Sequence, residues 1–159
     1  MSDFPVKELI VQAVEAALKK ITPPGYKTAG VQVVRPRRTG EKFAPQEKMI
    51  IVLQEPEQRS PDDDLVGNPA AIAWRLPITC DLVVRVSEAD TTPMDQALNV
   101  FEADVRKALM QDEQFGRLAV RSELGGTEYP DAAAGVEGVT VSIDVIYRTA
   151  INDPYVNRA

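Results

Sequence analysis

Two stretches of this chain alternate between apolar and polar positions, and two others repeat apolar residues every three or four positions. Residues 138–155 read GVTVSIDVIYRTAINDPY. Val139, Val141, Ile143, Val145, Tyr147 and Thr149 fall on one side, and Thr140, Ser142, Asp144, Ile146, Arg148 and Ala150 on the other. A period of two is that of a long, half-buried strand. Asn152-Asp153-Pro154 ends it, because proline lacks the N–H that a central strand donates. Residues 71–86 alternate in the same way, with Trp74, Leu76, Ile78, Cys80, Leu82, Val84 and Val86 against Arg75, Thr79, Asp81 and Arg85. Pro77 interrupts that run and predicts a bulge or an edge position.

The helical stretches are equally plain. Val6, Leu9, Ile10, Ala13, Ala17, Leu18 and Ile21 form one apolar stripe, with Ser2 or Asp3 as cap and Pro5 in the first turn. Thr22-Pro23-Pro24-Gly25 stops this helix. A second helix opens at Thr92-Pro93-Met94-Asp95, with Thr92 as N-cap, and runs to Gln111 or Asp112. It buries Met94, Leu98, Phe101, Val105, Ala108 and Leu109, with Glu102 and Arg106 paired outside. Short strands are expected at 31–34, 49–53 and 118–124, the last broken by Gly125-Gly126. The loop at 35–48 is basic. The loop at 55–68 is acidic and proline-rich, and long enough to be functional or partly mobile.

Few helices among strands that alternate argue for an α+β fold with a mostly antiparallel sheet. The expectation is a two-layer sandwich: about five strands with both helices packed on one face, in one domain spanning 1–159. The opposite sheet face carries Arg75, Thr79, Asp81, Arg85, Thr140, Ser142, Asp144 and Arg148. It meets water in a monomer and could line a channel in an oligomer.

Composition narrows function by exclusion. A net charge of −6 argues against sequence-independent nucleic-acid binding, which needs a basic surface. The single cysteine, Cys80, rules out an intrachain disulfide and falls on an apolar strand face, as a buried hydrophobe rather than a nucleophile. There is no histidine, hence neither the commonest general base nor the commonest zinc ligand. No phosphate-binding, dinucleotide or nucleophile-elbow motif is present. The N-terminal residues lack the pattern of a signal peptide, no run reaches membrane-spanning length, and synthesis in a reducing cytoplasm is expected.

Two charged clusters remain. Asp62-Asp63-Asp64 lacks the alternation of a calcium loop and reads as a solvated loop before a cation site. Arg35, Arg37 and Arg38 lack interleaved aromatics for base stacking, which favours solvation or protein contact.

With this order of elements, the chain resembles the tail-terminator (tail-completion) proteins of tailed bacteriophages. The resemblance rests on the N-terminal amphipathic helix, the long middle strand, the Thr92-Pro93 helix and the ending VIYRTAINDPY at 145–155, and covers nearly the whole chain. It implies a non-enzymatic virion protein without cofactor or metal. Such a protein forms a homohexameric ring on the head-proximal end of the tail tube, stops tube polymerisation and offers a surface to the head-completion (connector) protein. The host cytoplasm would be its site of assembly, and DNA would meet it only while passing through the lumen.

Three placements follow from that resemblance. Arg75, Asp81, Arg85, Asp144 and Arg148 would face the lumen or a neighbouring subunit. Arg35, Arg37 and Arg38 on one loop, and Arg59, Asp62, Asp63 and Asp64 on the other, would contact neighbours or the adjoining ring. Asp153, Pro154 and Tyr155 would dock on their own or a neighbouring subunit. The alternatives are a small non-enzymatic α+β adaptor, another head–tail connector, or a carboxylate-dependent enzyme using the acidic loop.

Overall fold

The computed structural model describes residues 2–37, 48–85, 91–129 and 136–159. Arg38 with the rest of the basic loop to 47, Val86, and the alanine-rich residues 130–135 lie outside the described residues. The elements are α1 (Val6–Leu18), β1 (Val31–Val34), β2 (Lys48–Gln54), β3 (Gln58–Arg59), a single 3-10 turn (Pro61–Asp63), β4 (Ala71–Arg85), α2 (Met94–Leu109), β5 (Arg121–Glu128), β6 (Val136–Ala150) and β7 (Asp153–Asn157). This is an α+β fold.

The spine of the sheet is the antiparallel pair β4–β6, in register from Ala71 opposite Ala150 to Arg85 opposite Val136. The strand order is β1-β2-β4-β6-β5; β1 runs parallel to β2, and the other pairs are antiparallel. Two short strands lie off this path. β3 follows β2 along the same edge of β4, and β7 follows β5 along the outer edge of β6. The sheet is therefore mixed, and it curls into a half-barrel where a two-layer sandwich was the expectation. Long twisted strands coil in this way.

Pro77 explains the break between β2 and β3. It stands opposite Glu55, whose N–H donates to the Pro77 carbonyl at 2.9 Å. A residue's N–H and C=O point to the same side of a strand, so the N–H that Pro77 lacks would also have faced Glu55. The ladder is incomplete there, and the partner chain leaves the sheet at Pro56 before rejoining as β3. Pro77 is thus tolerated in a central strand because the neighbouring strand is broken opposite it.

One continuous core joins the helices to one face of the sheet. Ile50, Val52, Leu76, Ile78, Cys80, Leu82, Val139, Val141, Ile143 and Val145 meet Val6, Ile10, Val11, Val14 and Leu18 of α1 and Leu98, Phe101, Val105 and Leu109 of α2. The α1 stripe is turned from the expected one: Val11 and Val14 are buried, and Leu9, Ala13 and Ala17 are half-buried. Neither helix has its expected residue at the N-cap position. Pro5 occupies the N-cap of α1 with no side-chain cap, while the Ser2 hydroxyl accepts from the Phe4 N–H at 3.2 Å. Pro93, not Thr92, is the N-cap of α2.

The β5 region also departs from expectation. Asp112 accepts from the N–H groups of Gln114 and Gly116 at 3.0 and 2.7 Å, winding the chain into a turn that delays the strand to Arg121. Phe115 adopts a positive φ of 45° within this turn and is rewarded by burial of its ring in the core. The strand then continues through Gly125-Gly126, where the register with β6 shifts. A Cβ on Gly125 would lie 3.1 Å from that of Ser142, so the bulge needs glycine for its close approach.

Asp104 is charged, yet it lies on the buried side of α2. One carboxylate oxygen accepts from the Lys27 N–H at 3.1 Å, the Thr28 N–H at 2.7 Å and the Thr28 hydroxyl at 2.6 Å. The α1–β1 connection is thereby pinned to α2. Phe101→Ala is expected to lower unfolding free energy by about 3–5 kcal/mol. Asp104→Ala, which leaves the Thr28 donors without their acceptor, is expected to cost about 1–3 kcal/mol. Urea unfolding followed by far-UV circular dichroism measures both.

Candidate functional site

The acidic loop and the polar sheet face, read separately in the sequence, form a single structure. Arg75 on β4, Asp144 on β6, and Arg121 and Glu123 on β5 project from the same face, because Arg75 and Arg121 both stand opposite Ile146 and Glu123 stands opposite Asp144. Arg75 donates to Asp144 at 2.9 Å and to Glu123 at 3.1 Å. Arg121 donates to Glu123 at 3.1 Å and reaches the loop, holding Asp63 through two contacts of 2.6 and 3.2 Å. Charges alternate along this row, from Asp63 through Arg121, Glu123 and Arg75 to Asp144. Ile146 is fully buried beneath it. Arginine methylenes cover apolar surface while their heads stay wet.

The loop is fastened at further points. The Ser60 hydroxyl donates to Asp63 at 2.7 Å, and Arg148 donates through Nε to the Asp63 carbonyl. Asp64 accepts from the Ala73 N–H at 2.6 Å and from Arg59 at 2.7 Å. Arg59 also lies over Trp74, 5.3 Å from the ring centroid. The Arg121 guanidinium and the Ser60 hydroxyl hold the Asp63 carboxyl down at about 2. The Ala73 N–H, then Arg59, lowers Asp64. Hydrogen bonds from Arg121 and Arg75 lower Glu123.

This arrangement corrects the picture of a polar face that simply meets water: one end of it is covered by the loop. Only part of the expected set converges. Asp81 lies farther along and accepts from the Thr140 hydroxyl at 2.8 Å, and Arg85 is exposed at the strand end. Arg35 turns inward to α1, with Glu8 at 2.8 Å and Glu15 at 3.2 Å. Arg37 and Asp62 are exposed. Asp153 pairs with Ala150 in the β6–β7 ladder and accepts from the Tyr155 N–H at 2.9 Å, so the ending folds back on its own chain. Arg121 and Glu123 were missed, although their spacing of two in an expected strand puts them on one face.

A second feature lies at the N-terminal end of α1. A cavity of about 190 Å³ opens between Pro5, Ile72, Trp74, Ile151 and Pro154. Tyr147, at its wall, donates its phenol proton to Glu57, which also holds Lys7 at 3.1 Å. Burial, then Glu57, pushes the Tyr147 phenol well above its ordinary value. Trp74 is half-buried at the edge of the core, where it borders this cavity. Glu57 gave no signal in the sequence, since nothing local links residue 57 to residue 147.

Cys80 is buried, and burial pushes its thiol up to about 12. The three consecutive aspartates diverge: Asp62 faces solvent, Asp63 meets Arg121 and Asp64 meets Arg59. Among the described residues, no three His, Cys, Asp or Glu side chains come together as metal ligands, and no helix is long and apolar enough to cross a membrane. No protein-family model matches the chain, and no curated protein sequence matches it significantly.

The loop contacts have a defined pH sense. The folded Asp63 carboxyl titrates below its ordinary 3.8, at about 2. Its stabilising effect is therefore complete above the unfolded value and is lost as pH falls through about 2. Arg121→Ala is expected to speed amide exchange of residues 60–65 at neutral pH while lowering global stability by about 1 kcal/mol or less, because the pair is partly exposed. Hydrogen exchange read by mass spectrometry should show the same local release in the unsubstituted protein toward pH 2.

Proposed function

We propose that this chain is a structural virion protein of the tail-terminator kind. Six copies would close a ring on the head-proximal end of a phage tail tube, halt addition of tube subunits and present a different surface to the head-completion protein. The observation that carries this reading is the order of elements: an N-terminal helix, a long middle strand, a Pro93-initiated helix and a long closing strand that folds back at Asp153. A repeating head-to-tail contact either closes into a ring or propagates, so a terminator needs one surface that matches the tube and another that does not.

The intrachain row of charges modifies the expected role of the polar face. Arg75 and Asp144 satisfy each other within one chain. Asp81 and the exposed Arg85, away from the loop, are the members of the set left to line a lumen or meet a neighbour. The acidic loop, fixed in place before assembly, suits contact with an adjoining ring. Preorganised contacts lose less ordering entropy on binding.

The test is tube assembly. Purified chain added to polymerising tail-tube protein is expected to shorten the tubes in proportion to its amount, as measured by electron microscopy. Arg85→Glu is expected to weaken this capping by at least tenfold in concentration while the fold is kept. Tube lengths unaffected by any excess of the unsubstituted chain would overturn the proposal.

A further inference from the structure

From Ala71 to Arg75, β4 is paired in full with β6 on one side and has an irregular cover on the other. β2 accompanies β4 only as far as Gln54 opposite Ile78, and β3 adds Gln58 opposite Arg75 and Arg59 opposite Trp74. Ser60 then donates its N–H to the Ala73 carbonyl at 3.0 Å, as the next member of a ladder would. A regular ladder would return the Ala73 N–H to the Ser60 carbonyl. That carbonyl is instead turned into the 3-10 turn, where it accepts from the Asp63 N–H at 3.0 Å. Its place is taken by the Asp64 carboxylate, which accepts from the Ala73 N–H at 2.6 Å. Regular pairing resumes only at Leu65, which exchanges both backbone bonds with Ala71 at 2.9 and 3.0 Å. The four residues 61–64 thus stand opposite the single residue Ile72.

This cover has no apolar anchor. None of residues 58–65, all of them described, is buried, whereas Ala71 and Ala73 on the adjoining strand are. Its side-chain fastenings are hydrogen bonds and partly exposed charge pairs: Arg121 and Ser60 on the Asp63 carboxylate, Arg148 on the Asp63 carbonyl, and Arg59 on Asp64. Charge pairs of that kind contribute little singly, and segments held mainly by polar surface contacts open well before the global fold does. Opening uncovers a specific surface. The N–H and carbonyl groups of Ala71 and Ala73 become a free strand edge, and Arg121 and Arg148 lose the acceptors that Asp63 supplies.

We infer that residues 58–65 are a displaceable cover over a strand-acceptor edge, and that the partner accepted there is an extended acidic peptide segment. Such a partner has to supply what the cover supplies. Ala73 needs both a donor and an acceptor, which a peptide backbone has and a DNA backbone, with acceptors alone, has not. Arg121 and Arg148 need acceptors, which acidic side chains provide. In strand addition the main-chain bonds give affinity and the alternate side chains give selectivity. The resting cover keeps one position, as the proposed ring contact requires, and the inference does not depend on that ring.

A synthetic peptide with the sequence of residues 56–66, PEQRSPDDDLV, is the probe, because that sequence already fits this edge in the folded chain. The Asp63→Ala/Asp64→Ala double variant weakens the cover without touching the core. Trp74, the one tryptophan in the sequence, lies under Arg59 and reports binding through its fluorescence. The double variant is expected to bind the peptide at least tenfold more tightly than the unsubstituted chain, whose own cover competes. A peptide with alanine in place of the last two aspartates is expected to bind the variant at least tenfold more weakly. Hydrogen exchange read by NMR is expected to show the Ala73 amide exchanging faster in the variant and slowing again when peptide is added. If circular dichroism shows that the double variant has lost its fold, Asp64→Ala alone, which keeps the Arg121–Asp63 pair, gives the same readouts. Equal affinity of the two proteins for the peptide, equal affinity of the two peptides, or an Ala73 amide that the peptide leaves unprotected would each overturn the inference. Tube capping reads the proposed function separately, so either can fail without the other.

Discussion

Every other part of this molecule is placed by the register of β4 against β6. Each strand has 15 residues, and the pairing is unbroken along their length. A slip of one residue would exchange the two faces of a strand. It would carry Leu76, Ile78, Cys80 and Leu82 out of the core and bring Arg75, Thr79 and Asp81 into it. The two apolar alternations therefore fix each other, and the helices cover the face that results. The outer edges of the pair are then filled by shorter pieces laid end to end, with a break where Pro77 has no donor to offer.

The face away from the helices follows a different logic. Its charges are partly solvated, and pairs of that kind contribute little stability singly. Their effect lies in position. Asp63 bridges to β5 through Arg121, and Asp64 bridges to β4 through Ala73, so a segment with little regular structure of its own acquires one location. The same fastening holds the aliphatic residues beyond it away from the body of the protein. Order in the loop and exposure at its tip thus have a common cause.

The long strands and both helices were legible because each has a strong period over many residues; β3 and β7, two and five residues long, carry no such pattern and were read as loop and tail. β4, β6 and α2 are long enough that one irregular residue does not obscure the pattern. The errors arise where tertiary contacts outweigh local preference. Gly125-Gly126 has the composition of a strand end, yet it continues the strand because β6 needs a close neighbour at Ser142. The α1 stripe is turned because the helix faces α2 and the sheet together. At the candidate site, Arg75 and Asp144 were legible from alternation, whereas Glu57 was not, and neither was Asp104 on the buried side of α2. Their partners are 90 and 76 residues away, and no period relates such positions.

Cys80 has a consequence beyond its packing. It is the only thiol in the sequence, and it lies in the middle of the central pair, opposite Val52 on one side and Val141 on the other. A reagent cannot reach it through frayed ends or an opened loop; the helices that cover its face of the sheet must lift away. Its alkylation rate thus reports opening of the core, apart from the smaller motions that amide exchange also records.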